Sequence, residues 1–372
     1  MTTYKVFWSG HTHGGSGIGI AGREYVRALR RQGVQVELRQ RAIGGAKSSA
    51  KKSAVLIHHG LPHHLNLRQA RAKYGAVILN TVWETTRIPR NWFPSINRYD
   101  AVCVPSLHNV KALRRSGVKV PIYLVPHGVH GNLAPGLNQK RKLPYPKGTF
   151  VFLSVFTFQH RKNPEGLLRA YWKEFSRADK TVLIIKTEGF QRSESGTRLK
   201  RKMQAYKNRL KLRKSTAPVY VITDRVSSRT LQGLYKSANA FVLPTRGEGV
   251  GMPFQEALAS GVPVIATGWG GQMDFVNHGN SFLVNYQLMP PAVKMKGAIS
   301  KTFRPLFCQG GQLWAEPNNG SLRKQMRKAY SQPLLCKAKG AKGRADMRRY
   351  TWNHAGSAMK KAVEAVVRKR RR

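Results

Sequence analysis

The chain has 372 residues, 41% of them hydrophobic, and this length suits two domains better than one ordinary core. It carries 66 Lys and Arg against 16 Asp and Glu, a net charge of +50, which implies a phosphate-rich partner unless the whole source proteome is basic. Its three cysteines lack metal-ligand spacing and no apolar run approaches membrane-spanning length, so we expect a soluble cytoplasmic protein with free thiols.

The first part of the chain predicts alternating strands and helices. A strand at 4–8 leads into a glycine-rich loop that contains Gly15, followed by a helix at about 18–32 and a strand at 34–38. Glycines in such a βαβ start let the backbone approach a phosphate, although a flexible turn gives the same pattern. Further strands are predicted at 54–57, 76–82, 101–104 and 122–125.

Polar or aromatic residues follow each of these strands. Trp83 and Glu84 follow the strand at 76–82, His127 follows the strand at 122–125, and four histidines lie within 58–64. The histidines suit a polar cleft loop better than a metal site, because no acidic or cysteine ligand is nearby. Since ligands of open α/β sheets bind beyond the carboxyl ends of the strands, these segments suit one half of a cleft.

Composition also divides the chain. Prolines, glycines and a basic run predict a linker at 136–148, after a first domain of residues 1–135. A second domain is expected at 149–350, and a final amphipathic helix with a basic tail at 351–372. Within the second domain a strongly basic helix at 197–214 is either a solvated face or a contact for a polyanion.

The segment at 240–271 has the clearest local pattern. It predicts a strand at 240–244, a glycine-rich loop with Glu248, a short helix with Glu256 and a strand at 262–266. Pro253 suits the first helical turn, and Gly261 suits the C-terminal cap. The loop amides and the helix N-terminus can hold an anion or a hydroxyl-rich ligand, and both carboxylates would face it.

These segments, taken in order, resemble the nucleotide-sugar-dependent retaining glycosyltransferases of GT-B fold that carry the Glu-x7-Glu motif, the group 1 or family 4-like enzymes. The resemblance implies an α/β fold of two Rossmann-like, doubly wound domains that face each other across a cleft, with the C-terminal helix crossing back. The matching segments are the Gly-Gly-Ser-Gly loop at 14–17, WETTRIP at 83–89, VPHGV at 125–129, RKNPEGLLRAY at 161–171, LYKSANAFVLPTRGEGVGMPFQEALASGVPVIA at 234–266, WAEP at 314–317 and Thr351-Trp352.

The resemblance also implies roles for individual residues. Glu256 would accept hydrogen bonds from the nucleotide ribose, Glu248 would lie near the hydroxyls of the transferred sugar, and Lys162 would balance the donor diphosphate. No cofactor or metal would be required. The remaining donor-binding positions that it implies are Gly15, Arg161, Gly249, Val250 and Gly251.

Two positions depart from the family pattern. Members often carry a Gly-Arg pair after the first strand of the second domain, where this chain has Phe156-Thr157, so Arg161 is a candidate substitute. Many members have a His-Asp pair where this chain has Trp83-Glu84. Glu84 is therefore a candidate acceptor-orienting group or weak base, and the candidate catalytic residues are Glu248, Lys162 and Glu84. We expect Trp83, Glu84 and His127 on the acceptor side.

The expected activity is retaining transfer of a sugar from a nucleotide sugar to a hydroxyl acceptor. The charge favours a phage-type modified DNA base as acceptor, with Trp83, Trp92 and Phe93 offered for stacking. The alternative is a cell-envelope enzyme that acts on a lipid-linked or anionic glycan and docks on an acidic membrane. A third possibility, an inactive GT-B fold that only binds nucleic acid, is disfavoured by the presence of Glu248, Glu256 and Lys162.

Overall fold

The chain divides into two compact units. A computed structural model describes residues 4–39, 53–130, 145–188, 195–212 and 215–371. One unit comprises Met1–Val129 and Arg349–Arg372, and the other comprises His130–Arg348. Most of the predicted linker at 136–148 lies outside the described residues, so its position stays a prediction.

The first unit is built on a parallel sheet of six strands in the order β2-β1-β3-β4-β5-β6. Every residue of β3, β4 and β5 is buried, which explains why these strands are almost continuous apolar runs in the sequence. The strands are β1 (Lys5–Gly10), β2 (Val36–Arg39), β3 (Ala54–His59), β4 (Ala76–Asn80), β5 (Ala101–Val104) and β6 (Ile122–Leu124).

Helices α1 (Gly17–Arg31), α2 (Leu67–Lys73) and α3 (Leu107–Arg115) connect these strands. Each begins after a residue whose side chain accepts a hydrogen bond from the first turn, and the cap of α1 is Ser16. Because β1 lies between β2 and β3, the strand order reverses there, so the glycine loop after β1 is at a switch point of the sheet.

The second unit also has a six-stranded parallel sheet, in the order β12-β11-β10-β7-β8-β9. From β7 the chain builds outward through β8 and β9 on one side and through β10 to β12 on the other, which is the Rossmann order. The strands are β7 (Phe150–Thr157), β8 (Thr181–Glu188), β9 (Val219–Ile222), β10 (Ala240–Leu243), β11 (Val264–Thr267) and β12 (Ser281–Val284). An antiparallel pair, β13 (Tyr286–Met289) and β14 (Trp314–Pro317), lies apart from this sheet.

The remaining helices are α4 (Pro164–Glu174), α5 (Gly196–Arg209), α6 (Ser228–Ser237), α7 (Met252–Ala259), α8 (Arg304–Phe307), α9 (Asn319–Ser331), α10 (Pro333–Met347) and α11 (Trp352–Arg371). The last of these belongs to the first unit, as predicted, and packs on α1. Gly356 makes this packing close, because a Cβ there would lie 2.8 Å from the Cβ of Ala28. No helix among the described residues is long and apolar enough to cross a membrane.

The predicted strand, loop, helix and strand at 240–271 are confirmed as β10, α7 and β11. Strand β13 and helix α10 are among the elements that were not predicted. Strand β13 is mostly exposed and therefore has no apolar pattern. Helix α10 packs through glycines, and a Cβ on Gly340 would lie 2.1 Å from the carbonyl oxygen of Gly261, so the helix has little apolar periodicity.

Candidate active site

The candidate site of the second unit lies where its strand order reverses. Strands β7 and β10 are neighbours in the sheet although about 85 residues separate them. The turn at His160–Lys162 follows β7, and the loop that carries Glu248 follows β10. The sheet therefore brings the predicted cations and the first predicted carboxylate to one place.

Asn163 fixes the turn that presents the cations. Its backbone is left-handed, with φ of 57°, a conformation that asparagine tolerates better than most residues. Its side chain caps α4 by accepting a hydrogen bond of 3.0 Å from the amide of Gly166. Pro164 occupies the first helical turn, where its missing N–H costs nothing. Arg161 and Lys162 are thus held immediately before the positive end of a helix.

The carboxylate of Glu248 is held by both cations. Its Oε1 lies 2.5 Å from Nζ of Lys162, and its Oε2 lies 3.1 Å from Nη1 of Arg161. The guanidinium of Arg161 also donates to the carbonyl oxygen of Gly247. Glu248 is only 4% exposed, so these contacts replace the water that the carboxylate loses on folding.

Charge determines the ionisation of this group. Burial alone would raise the pKa of Glu248, but Lys162 and Arg161 outweigh burial and hold that pKa below its usual value. The carboxylate is therefore ionised at neutral pH. The site combines two positive groups, one fixed negative group and the N-terminal end of α4, which is a set of charges that can bind an anionic ligand with hydroxyl groups.

Glycines give the Glu248 loop its shape. Gly251 has φ of +87° immediately before α7, and Gly270 has φ of +112° beside the backbone of Glu248. The amide of Gly271 donates to the carbonyl oxygen of Glu248 at 2.8 Å. The predicted ligand-binding residues Gly249, Val250 and Gly251 are buried in this loop, between Glu248 and the start of α7.

Glu256 lies in α7 and is paired with a tyrosine that the sequence did not reveal. The hydroxyl of Tyr235, in α6, donates to Oε2 of Glu256 at 2.8 Å. Burial raises the pKa of Glu256 to about 7, and the hydrogen bond from Tyr235 opposes this rise. A small change in surroundings can therefore switch this carboxyl between its neutral and ionised forms near neutral pH.

In the first unit a buried histidine at the end of β3 contacts the first turn of α1, directly after the predicted glycine loop. Nε2 of His59 lies 2.8 Å from the carbonyl oxygen of Ile18, and its Nδ1 lies 3.0 Å from Nδ2 of Asn80. Burial lowers the pKa of His59 to about 4, so the ring is neutral and donates to Ile18 while accepting from Asn80. Gly15 lies in the exposed part of this loop, and its role in donor binding stays a prediction.

The residues expected on the acceptor side are less accessible than predicted. His127 packs against Trp352 and Tyr25, with ring centroids 5.8 and 5.6 Å away, and burial lowers its pKa to about 3. Glu84 is partly exposed just beyond β4. The surroundings of Glu84 and His127 do not assign either residue a role, so their roles on the acceptor side stay predictions.

The prediction that Trp83 and Trp92 stack on a base is wrong. Trp83 is 2% exposed, its Nε1 donates to Oγ1 of Thr85 at 2.7 Å, and its ring packs against that of Trp92, which is fully buried. Both rings belong to the core of the first unit. Phe93 alone of the three named aromatics is accessible, at 40% exposure. The sequence could not show whether a tryptophan in a loop segment packs into the core or stacks on a bound base.

The histidine-rich segment does not form a metal site in the described structure. His58 and His59 are buried, and Nε2 of His58 lies 3.0 Å from the carbonyl oxygen of Leu61. His63 and His64 contact each other at 4.5 Å between ring centroids. Across the described ranges, no group of three or more His, Cys, Asp and Glu side chains could hold a metal ion.

With this geometry described, the chain can be compared with known proteins. Residues 137–288, which contain Lys162, Glu248 and Glu256, match the family described as Glycosyl transferases group 1. The match covers this part of the chain. An uncharacterized glycosyltransferase of Methanocaldococcus jannaschii is 28% identical over 142 residues, and the D-inositol 3-phosphate glycosyltransferase of Corynebacterium jeikeium is 30% identical over 145 residues. These alignments cover 38% and 39% of this chain and 33% of each relative, so the matched region spans about a third of their length.

Solved structures extend the similarity to the whole fold. Sucrose-phosphate synthase from Thermosynechococcus elongatus superposes with a TM-score of 0.70, at 16% identity, over 98% of this chain and 99% of that one. HepE of Anabaena, in complex with UDP and glucose, gives a TM-score of 0.67, at 14% identity, over 97% and 100%. At these identities the likeness shows the fold alone, and it confirms the predicted two-domain GT-B fold.

Titration of Glu256 makes a specific prediction for stability. Its pKa is raised in the folded state from an ordinary value of 4.5, so the folded protein binds the proton more tightly than the unfolded chain. The contribution of this group to the free energy of unfolding is therefore present below pH 4.5 and is lost as the pH rises through 7. Relative to Glu256→Gln, the unmutated protein should lose stability between these limits, measured by urea unfolding.

The matched control is Glu188→Gln, which changes an exposed carboxylate at the end of β8. It serves as the comparison for the loss of one carboxylate at an exposed position. If the difference in unfolding free energy between the unmutated protein and Glu256→Gln stays constant over this pH range, burial does not govern the ionisation of Glu256.

Proposed function

We propose that this chain is a nucleotide-sugar-dependent retaining glycosyltransferase whose donor site is the cluster of Arg161, Lys162, Glu248 and Glu256. The observation that carries the proposal is the buried contact of Glu248 with both cations at the switch point of the second sheet. The match of residues 137–288 to the group 1 glycosyl transferases supports it, as does the bound UDP and glucose in the structurally similar HepE of Anabaena. No cofactor or metal is part of the proposal.

The cations suit the departing group of such a reaction. A nucleoside diphosphate gains negative charge as its bond to the sugar breaks, and fixed positive groups lower the energy of that state. Lys162 and Arg161 lie in a turn stiffened by the left-handed Asn163, ahead of α4. They can therefore meet a diphosphate without large reorganisation.

The two carboxylates suit the neutral parts of the donor. Glu248 is ionised and can accept hydrogen bonds from sugar hydroxyls, while Glu256 can accept them from the ribose when it is ionised. Because the pKa of Glu256 is about 7, donor affinity should fall as the pH drops below this value. Tyr235 keeps one oxygen of Glu256 occupied and leaves the other for the ribose.

The proposed chemical step needs no nucleophile from the protein. The acceptor hydroxyl oxygen forms a bond to the anomeric carbon on the face from which the diphosphate departs, and the bond from that carbon to the phosphate oxygen breaks. The acceptor proton passes to that phosphate oxygen. We propose that Glu84 and His127 orient the acceptor.

The charge distribution favours a polyanionic acceptor, with DNA bearing a hydroxylated base as the first candidate. Helix α5 buries Leu199 and Met203 and contains no acidic residue. Its exposed cations form no ion pair within the described structure, whereas Arg323 and Arg327 of α9 are paired with Glu174. The exposed cations of α5 are Arg198, Lys200, Arg201 and Arg209. Such a face matches a row of phosphates.

Other acceptors remain as outcomes of the test. The names of two similar proteins include inositol 3-phosphate and sucrose-phosphate, which suggests a small phosphorylated acceptor. A lipid-linked or anionic glycan fits a basic surface that docks on an acidic membrane. Binding of DNA without any sugar transfer would indicate a GT-B fold that has lost its activity.

The donor assignment predicts that Lys162→Ala and Glu256→Ala abolish both donor hydrolysis and sugar transfer. Loss of Lys162 removes a group that stabilises the departing charge and should lower turnover by about 100-fold or more, while loss of Glu256 removes the hydrogen bonds that hold the ribose. Release of nucleoside diphosphate from a panel of nucleotide sugars measures this effect. Lys173→Ala, which removes an exposed lysine from the same helix α4, is the control and should leave turnover unchanged. Full activity of either site variant would refute the assignment.

The acceptor assignment predicts that the labelled sugar is transferred to DNA alone. The protein is incubated with labelled nucleotide sugar and with separate samples of hydroxymethylated DNA, unmodified DNA, sugar phosphates, lipid extract and anionic glycan. Replacing Arg198, Lys200 and Arg201 by glutamate should reduce the slope of log affinity for DNA against log salt by about 2 to 3. Replacing Lys324 and Lys328, exposed on α9, should change the slope less. Label in any other sample, with none in DNA, contradicts the DNA acceptor.

A further inference from the structure

We infer that Arg246 is a positioning residue that, with Glu316 as its ionic partner, holds the diphosphate-binding turn in its working geometry. The inference rests on the proposed function and extends it to two residues outside the Glu-x7-Glu motif. Arg246 lies two residues before Glu248, and Glu316 lies in β14, the strand that carries WAEP.

The guanidinium of Arg246 joins three segments of the second unit. Its Nε and Nη2 donate to the two oxygens of Glu316, at 2.6 and 3.1 Å. Its Nη1 donates to the carbonyl oxygen of His160 at 2.6 Å. Its charge also lies 5.9 Å from the ring centroid of Trp314. The side chain thus connects β14 directly to the turn that bears Arg161 and Lys162.

The backbone around Arg246 makes the same connection. The amide of Arg246 donates to the carbonyl oxygen of Arg161 at 2.7 Å, and Oγ1 of Thr245 donates to that oxygen at 3.1 Å. The amide of Ala315 donates to the carbonyl oxygen of Arg246 at 2.9 Å. Two successive carbonyls of the cationic turn are therefore fixed by one residue and its neighbour.

Burial makes this arrangement specific to arginine. Arg246 is 4% exposed, so its charge needs a partner at close range, and Glu316 supplies both oxygens. The planar fork of five N–H donors serves the carboxylate and the carbonyl at once, which a lysine ammonium cannot do with the same geometry. The side-chain hydrogen bonds of Arg246 go to Glu316 and to the carbonyl oxygen of His160, so the effect of Arg246 on a ligand passes through the turn.

The physical need for this support follows from the charges of the turn. Arg161 and Lys162 are adjacent cations that both point at Glu248, so they repel each other whenever that carboxylate is displaced or shared. A turn held only by its own short hydrogen bonds could relax by moving one cation away. Hydrogen bonds from Arg246 and Thr245 to the carbonyls of His160 and Arg161 oppose that movement.

The test compares binding of a nucleoside diphosphate with binding of the same nucleoside, using uridine and UDP as probes and calorimetry on the full chain. Arg246→Lys and Glu316→Gln should each weaken UDP binding by at least about tenfold, the effect of losing a hydrogen bond to a charged group. Uridine binding should change less than twofold. Arg323→Lys, on the more exposed ion pair with Glu174, is the control and should change neither.

Any one of three results would overturn the inference. Unchanged UDP binding in Glu316→Gln, with its melting temperature retained, would show that the pair does not position the turn. Equal losses for UDP and uridine would show a general structural role. If the unmutated protein binds neither UDP nor any other nucleoside diphosphate, the proposed function itself fails, and this inference fails with it. Should Arg246→Lys not fold, the isosteric Glu316→Gln alone decides the matter.

Discussion

The rest of the site depends on one interaction, the buried carboxylate of Glu248 between the charges of Lys162 and Arg161. In a chain with 16 acidic residues and 66 basic ones, repulsion between cations is the normal condition and a buried acid is costly unless it is paired. Glycine backbone conformations at Gly251 and Gly270 place the acid, and the capped turn before α4 places the cations.

This interaction has a consequence for ligand binding. A donor diphosphate would use the same two cations that neutralise Glu248, so its binding is an exchange of one anionic partner for another or a sharing of both cations. The protein must then keep the cations in place while their partner changes. The contacts of Arg246 with Glu316 and with the carbonyl of His160 provide such support from outside the anion site.

The sequence predicted much of this because local patterns and strand order carry the information. Buried parallel strands gave continuous apolar runs, and Pro253 and Gly261 marked a helix that the structure has at Met252–Ala259. Lys162 and Glu248 could be related through the resemblance of their segments to a known family. Arg246 and Glu316 are 70 residues apart in the sequence, and Tyr235 and Glu256 lie in two different helices, so no local pattern predicted either contact. Trp83 was misassigned because a loop tryptophan can pack inward as readily as it can face a ligand.

The most direct test of the central claim is the affinity of Glu248→Gln for a nucleoside diphosphate that carries no sugar, measured by calorimetry at neutral pH. If Glu248 and the diphosphate share the same cations, removing the carboxylate charge should tighten binding by about tenfold, since one pair of close charges in a partly buried site is worth more than 1.4 kcal/mol. Sugar transfer should be lost in the same variant. Binding that is unchanged or weaker would contradict the account, because it would show that Lys162 and Arg161 do not form the diphosphate site.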